Sequence, residues 1–107
     1  MNKLRQTKKE RNKKDKEWKE ACLKAYGKVC SCCGSTKLIN LHHIVPRELA
    51  SLRWDKMNCI PLCPKHHKFG LFSAHKNGLW FIEWLSHNRF GQYIYLIEKL
   101  NELEKEK

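Results

Sequence analysis

The chain holds six cysteines and six histidines in 107 residues, and its chemistry starts from their spacing. Cys30-Ser31-Cys32-Cys33-Gly34 offers two thiols three positions apart, followed by a glycine. Thiolates so spaced in a tight turn face one tetrahedral ion, and the glycine lets the chain double back so that backbone N–H groups aim at the sulfurs. Cys63-Pro64-Lys65-His66 repeats the spacing with an imidazole as the second donor. Together Cys30, Cys33, Cys63 and His66 make a Cys3His set of the closed, structural zinc type. Cys32 competes with Cys33, but Cys-x-Cys is a poorer bite and the glycine follows Cys33. Cys22 and Cys59 stand apart and read as a helix-face and a strand hydrophobe.

The zinc set leaves His42, His43, His67, His75 and His87. On a strand, the neighbours His42 and His43 point to opposite faces, so one can face a metal while the other faces a substrate. His67 follows ligand His66 directly, and a helical step of about 100° turns it away from the zinc. A second metal site, distinct from the first, is geometrically reasonable. His87 sits in a polar break and reads as a surface residue.

The elements that must position these side chains are short. The Lys-rich stretch from residue 1 to about 14 has no apolar period and reads as a solvated arm. From Lys14 a helix is expected, with Trp18, Cys22 and Ala25/Tyr26 on one face and Gly27 as its stop. Residues 38–45 read as a strand ended by Pro46, and Asn58-Cys59-Ile60-Pro61-Leu62 as a second. A polar loop with one helical turn joins them. Trp80, Phe81, Trp84 and Leu85 mark a helix whose stripe reads as core rather than as a base-stacking platform. After His87-Asn88-Arg89, the positions Phe90, Tyr93/Ile94, Ile97 and Leu100 mark another. The expected class is α+β. Residues 1–28 form a basic arm and helix, 29–72 the metal-rich core and 73–107 the C-terminal helices, all in one domain.

Charge narrows the partner. The net charge is +11, with +5 in residues 1–20, +7 in 21–97 and −1 in 98–107. The excess covers the body as well as the arm, and it points to nucleic acid. No apolar run approaches the ~20 residues of a membrane helix. No apolar stretch backs the basic N-terminus, so no secretory leader and no membrane partner are expected. The cytoplasm is then the expected compartment, where thiols stay reduced and six cysteines read as metal ligands rather than as three disulfides.

Cys-x-x-Cys-Gly, then Leu41-His42-His43-Ile44-Val45-Pro46, then Asn58-x-Ile60-Pro61-Leu62-Cys63-x-x-His66-His67 resembles the zinc-containing HNH endonucleases. The resemblance covers about residues 29 to 68. It implies a ββα-metal motif, with two short antiparallel strands and a helix around one divalent cation. It implies His42 and His67 as ligands of that cation and His43 as the general base. Asn58 would tie the loop between the strands and help orient His43. Cys30, Cys33, Cys63 and His66 match the structural zinc positions, His66 standing where the family often has cysteine. Phe72-Ser73-Ala74-His75 with Trp80-Phe81-x-x-Trp84-Leu85 looks like a subset of phage-encoded members. That would give His75 a site role, as a third ligand or a phosphate contact, against a plain surface histidine.

The resemblance implies hydrolysis of DNA, duplex first, to 5′-phosphate and 3′-hydroxyl ends. Asp55 and Glu48 are the only acids between the two His pairs, so one catalytic cation is expected rather than two. Two imidazoles suit Mn²⁺, Ni²⁺, Co²⁺ or Zn²⁺ better than Mg²⁺, which works if it keeps most of its waters. Arg47, Arg53, Lys56, Lys65 and Lys68 are the expected phosphate contacts, and the arm adds salt-dependent affinity. The competing reading is a non-catalytic zinc-knuckle module that binds nucleic acid. It leaves His42, His43, His67 and Asn58 without a task.

Overall fold

A computed structural model describes residues 6–106 of the chain. The first five residues of the basic arm lie outside them. Helix α1 runs Lys8–Tyr26 and packs across a two-stranded antiparallel sheet of β1, Asn40–His42, and β2, Ile60–Leu62. One wide helical turn follows at Lys65–Phe69, and then α2, Gly78–Asn88, and α3, Phe90–Lys105. The protein is thus a small α+β molecule. Among the described residues no helix is long and apolar enough to cross a membrane.

α1 begins six residues before the Lys14 start expected from apolar periodicity. Thr7 caps it: its Oγ1 accepts from Glu10 N at 3.1 Å, and Glu10 Oε1 accepts from Thr7 N at 2.8 Å. This reciprocal pair satisfies two N–H groups that the first turn leaves open, so helix forms where nothing is buried. Farther along, Trp18 and Cys22 are buried against Cys59, while Ala25 stays exposed.

Both strands are shorter than expected. The register pairs Asn40 with Leu62, Leu41 with Pro61 and His42 with Ile60. Leu38, at φ 54°, is a turn residue and not a strand residue. On the other side the ladder stops because Asn58 takes it over. Its Oδ1 accepts from Val45 N at 2.6 Å, and its Nδ2 donates to Val45 O at 2.9 Å. A side chain therefore does for Val45 what a neighbouring strand would do.

Among the described residues, three small cores surround this sheet. Ile60, Leu62, Cys30 and Cys63 meet Phe81 and Leu85 of α2. Trp18 and Cys22 meet Cys59, and Val45 and Leu52 meet Leu96 of α3. The face of α3 differs from expectation: Phe90 is 62% exposed and Ile97 also faces out, while Gln92 and Leu96 are buried. The reason is polar. Gln92 Nε2 donates to Met57 O and Cys59 O, each at 2.9 Å. Those two carbonyls beside β2 need a donor, and the helix turns its amide toward them.

Candidate metal centres

The knuckle at Cys30 closes as its glycine demands. Gly34 sits at φ 79°, its N–H donates to Cys30 O at 2.9 Å, and Cys30 N donates to Ser35 O at 2.8 Å. Ser31 N donates to Pro61 O at 3.0 Å and fixes the knuckle to β2. Across from it, Cys63 and His66 leave β2 for the wide turn.

The four donor atoms of Cys30, Cys33, Cys63 and His66 lie within 4.8 Å of one another. Zn–S bonds of about 2.3 Å and Zn–N bonds of about 2.0 Å set tetrahedral edges of roughly 3.8 Å between sulfurs and roughly 3.5 Å from sulfur to nitrogen. Cys33 Sγ and Cys63 Sγ are 3.7 Å apart, and His66 Nδ1 is 3.7 Å from Cys30 Sγ and 3.4 Å from Cys63 Sγ. The edges match, and this Cys3His cluster could hold a metal such as zinc. Burial opposes the Cys30 thiolate, but the backbone N–H groups of Cys63, Cys33 and Cys32 outweigh it and hold its pKa below the ordinary thiol value. Cys32 lies outside the cluster; burial, then the neighbouring cysteines, pushes its thiol up to about 12.

A second cluster gathers His42, His67 and His75, again with donor atoms within 4.8 Å of one another. His42 closes β1, and His67 lies on the wide turn. His75 arrives through a short loop whose ends are bonded: Ala74 N donates to His66 O at 2.8 Å and His75 N to His67 O at 3.0 Å. The two Nε2 atoms of His67 and His75 stand 3.2 Å apart. The three rings meet edge to face, with centroids 4.7–5.1 Å apart. Burial, then the two neighbouring imidazoles, pulls the pKa of His42 down to about 3. Burial, then His75, pulls His67 down to about 4. Both rings are therefore neutral at pH 7, with lone pairs ready for a cation. His75 is exposed, so the cluster opens to solvent on one side. It lies in a cleft of about 680 Å³ that also takes in His43, Arg47, Glu48 and Lys68.

His43 is held separately. Its Nε2 lies 2.9 Å from Arg53 O, and a carbonyl only accepts, so Nε2 carries the proton. In the neutral ring Nδ1 is then the basic nitrogen. The ring stacks on Trp18 with centroids 4.0 Å apart and planes 5° from parallel. Burial lowers its pKa below the ordinary imidazole value, against the Arg53 carbonyl, which raises it. Asn58 anchors the same loop through a bond from Nδ2 to Leu52 O at 3.0 Å, one residue before the carbonyl that holds His43.

The basic residues divide. Arg47 and Lys68 line the cleft, whereas Lys56 and Lys65 are exposed elsewhere. Arg53 turns away: Nε and Nη2 donate to the two Asp15 oxygens at 3.1 and 2.8 Å, and the guanidinium lies over the Trp54 ring. Its contribution to the site is its carbonyl. Burial works against the Asp15 carboxylate, but the bonds from Arg53 and from Trp54 Nε1 keep its pKa low. Trp18 Nε1 donates to Asp55 O at 2.9 Å. Asp15 and Trp18, neighbours on one face of α1, thus pin the loop that pins His43. Spacing gives no signal for this, because Asp15 and Arg53 are 38 positions apart. His87 is exposed, with Nδ1 2.8 Å from Glu83 O.

No family model, curated protein or solved structure matches the chain, so its relationships give no assignment for these centres.

Proposed function

We propose that the protein is a metal-dependent endonuclease of the zinc-containing HNH kind, built on a ββα-metal motif and acting on duplex DNA in the cytoplasm. One observation carries the reading. His43, its proton fixed at Nε2, shares a cleft with three clustered imidazoles and with Arg47 and Lys68. A zinc-knuckle binding module needs none of this. The Cys3His cluster would hold the structural zinc, and His42, His67 and His75 would hold the catalytic cation.

A divalent cation held there would supply neutralisation of the charge that develops on the scissile phosphate and the leaving 3′ oxygen. His43 Nδ1 takes a proton from water as the water oxygen bonds to phosphorus. The bond from phosphorus to the 3′ oxygen breaks, that oxygen gains a proton from solvent, and 5′-phosphate and 3′-hydroxyl ends result. Arg47 and Lys68 hold the flanking phosphates. Asn58 and Trp18 keep the base in place without touching substrate.

The test is nicking of supercoiled plasmid with Mg²⁺, Mn²⁺, Ni²⁺, Co²⁺ or excess EDTA. Wild type gives metal-dependent relaxed product, and His43→Ala lowers the rate roughly 10²- to 10⁴-fold with zinc content unchanged. Because burial lowers the His43 pKa, the rate should stay level as pH falls to the ordinary imidazole value near ~6.5 and decline only below it. A salt-sensitive gel shift without cutting in any metal would leave the binding module instead.

A further inference from the structure

Between the two cluster histidines His67 and His75 the chain makes a small, braced loop. Its ends are joined by the bonds from Ala74 N to His66 O and from His75 N to His67 O. Gly70 N donates to Lys65 O at 2.8 Å, and the fit is so close that a Cβ on Gly70 would fall 2.6 Å from that oxygen. Lys76 Nζ donates to Phe69 O at 3.3 Å, and the buried Ser73 accepts from Lys76 N at 3.2 Å. Every brace uses the backbone or a polar side chain, and the apolar side chains point outward. Phe69 is 73% exposed, Leu71 77% and Phe72 59%. Phe72 leans edge-on against Trp80, with centroids 6.0 Å apart.

Apolar groups held in water by a braced loop mark a contact surface. Charge names the partner. Lys65, Lys68 and Lys76 flank the loop, and the sequence has no acidic residue between Asp55 and Glu83. The partner must be anionic outside and apolar within. Duplex DNA is both, since stacked bases lie inside two rows of phosphates. Position favours DNA over an anionic lipid surface, because the loop starts and ends on residues of the cleft assigned to the scissile phosphate.

We propose that the Phe69–Phe72 loop is an apolar wedge that enters a base step of duplex DNA beside the cleft. The inference rests on the nuclease reading. Phe69 and Leu71 part the bases from a groove, and Phe72 backs them against Trp80. Steps that open easily, such as TA and CA, are then the preferred substrates, so the enzyme selects by deformability.

The experiment uses the full chain carrying His43→Ala, and duplexes with 2-aminopurine at central TA steps. Fluorescence should rise on binding as the probe unstacks. Adding Phe69→Ala and Leu71→Ala should abolish the rise and weaken binding roughly tenfold, while the salt slope is unchanged because no charge is removed. Zinc content and melting temperature should also be unchanged, since both side chains face solvent. Binding with no rise, or a rise that survives both substitutions, overturns the wedge and leaves the nuclease standing. Capture by phosphatidylserine vesicles that needs Phe69 and Leu71, with no rise on DNA, overturns it in favour of lipid. Absence of DNA binding in every arm overturns both readings.

Discussion

Two clusters of metal-ligating side chains share one short turn, and they differ in the charge of their donors. Cys30, Cys33, Cys63 and His66 offer three thiols and one imidazole, with donor atoms spaced like the corners of a tetrahedron. Thiolate ligands would cancel the charge of a divalent ion and, with the imidazole, fill a tetrahedral coordination, which suits a structural site. His42, His67 and His75 offer imidazole nitrogens alone, and one member is exposed. A cation held there would keep its charge and would have a side open to an incoming group. Neighbours in the chain, His66 and His67, thus belong to different clusters, the first to the closed one and the second to the open one.

The largest effect that could break this contrast is expected from Cys63→Ser. Structural zinc contributes on the order of 10–16 kcal/mol, comparable to the whole ~5–15 kcal/mol stability of an ordinary domain. The variant should contain no zinc by atomic absorption and show no cooperative melt by circular dichroism. A cooperative melt without zinc would mean that the tetrahedral cluster is not what holds the fold.

His67→Ala should leave that joint alone. The structural zinc and the melt should remain, while Mn²⁺ titration should show the second site lost. Nicking should fall by about 10³-fold, which corresponds to several kcal/mol of charge stabilisation. Retained Mn²⁺ affinity would remove His67 from the cluster and erase the distinction between adjacent histidines.

Cys32→Ser should have the smallest effect. Cys32 is half-buried beside the knuckle but outside the tetrahedron. Zinc stoichiometry should be unchanged, and the urea midpoint should move by no more than about 1 kcal/mol of stability. A fall in zinc content would mean that the ligand set includes the wrong cysteine of the pair.

The metal donors were legible because short-range spacing carries their geometry. Cys30 and Cys33 lie three positions apart, as do Cys63 and His66, and a local turn suffices to bring each pair together. His75 was harder to read, since its place beside His67 depends on backbone bonds that close the intervening loop. The supports of His43 left no trace in periodicity. Asp15 reaches Arg53, and Trp18 reaches Asp55 and His43, across distances that only the folded chain shortens. Apolar period also misjudged α3, because the residue that fixes its orientation is the polar Gln92. The start of α1 was written in Thr7-x-x-Glu10, a capping signal that lies before any apolar pattern.

The shared turn at Lys65–Phe69 also couples the two clusters to one another. His67 reaches its cluster only when the turn is wound, and His66 anchors that turn to the knuckle. If the knuckle holds a structural ion, a chain without that ion would lack the anchor of the turn that carries His67. If, further, the cleft cuts DNA, the activity would wait on loading of the knuckle, and metal supply would act as its timer.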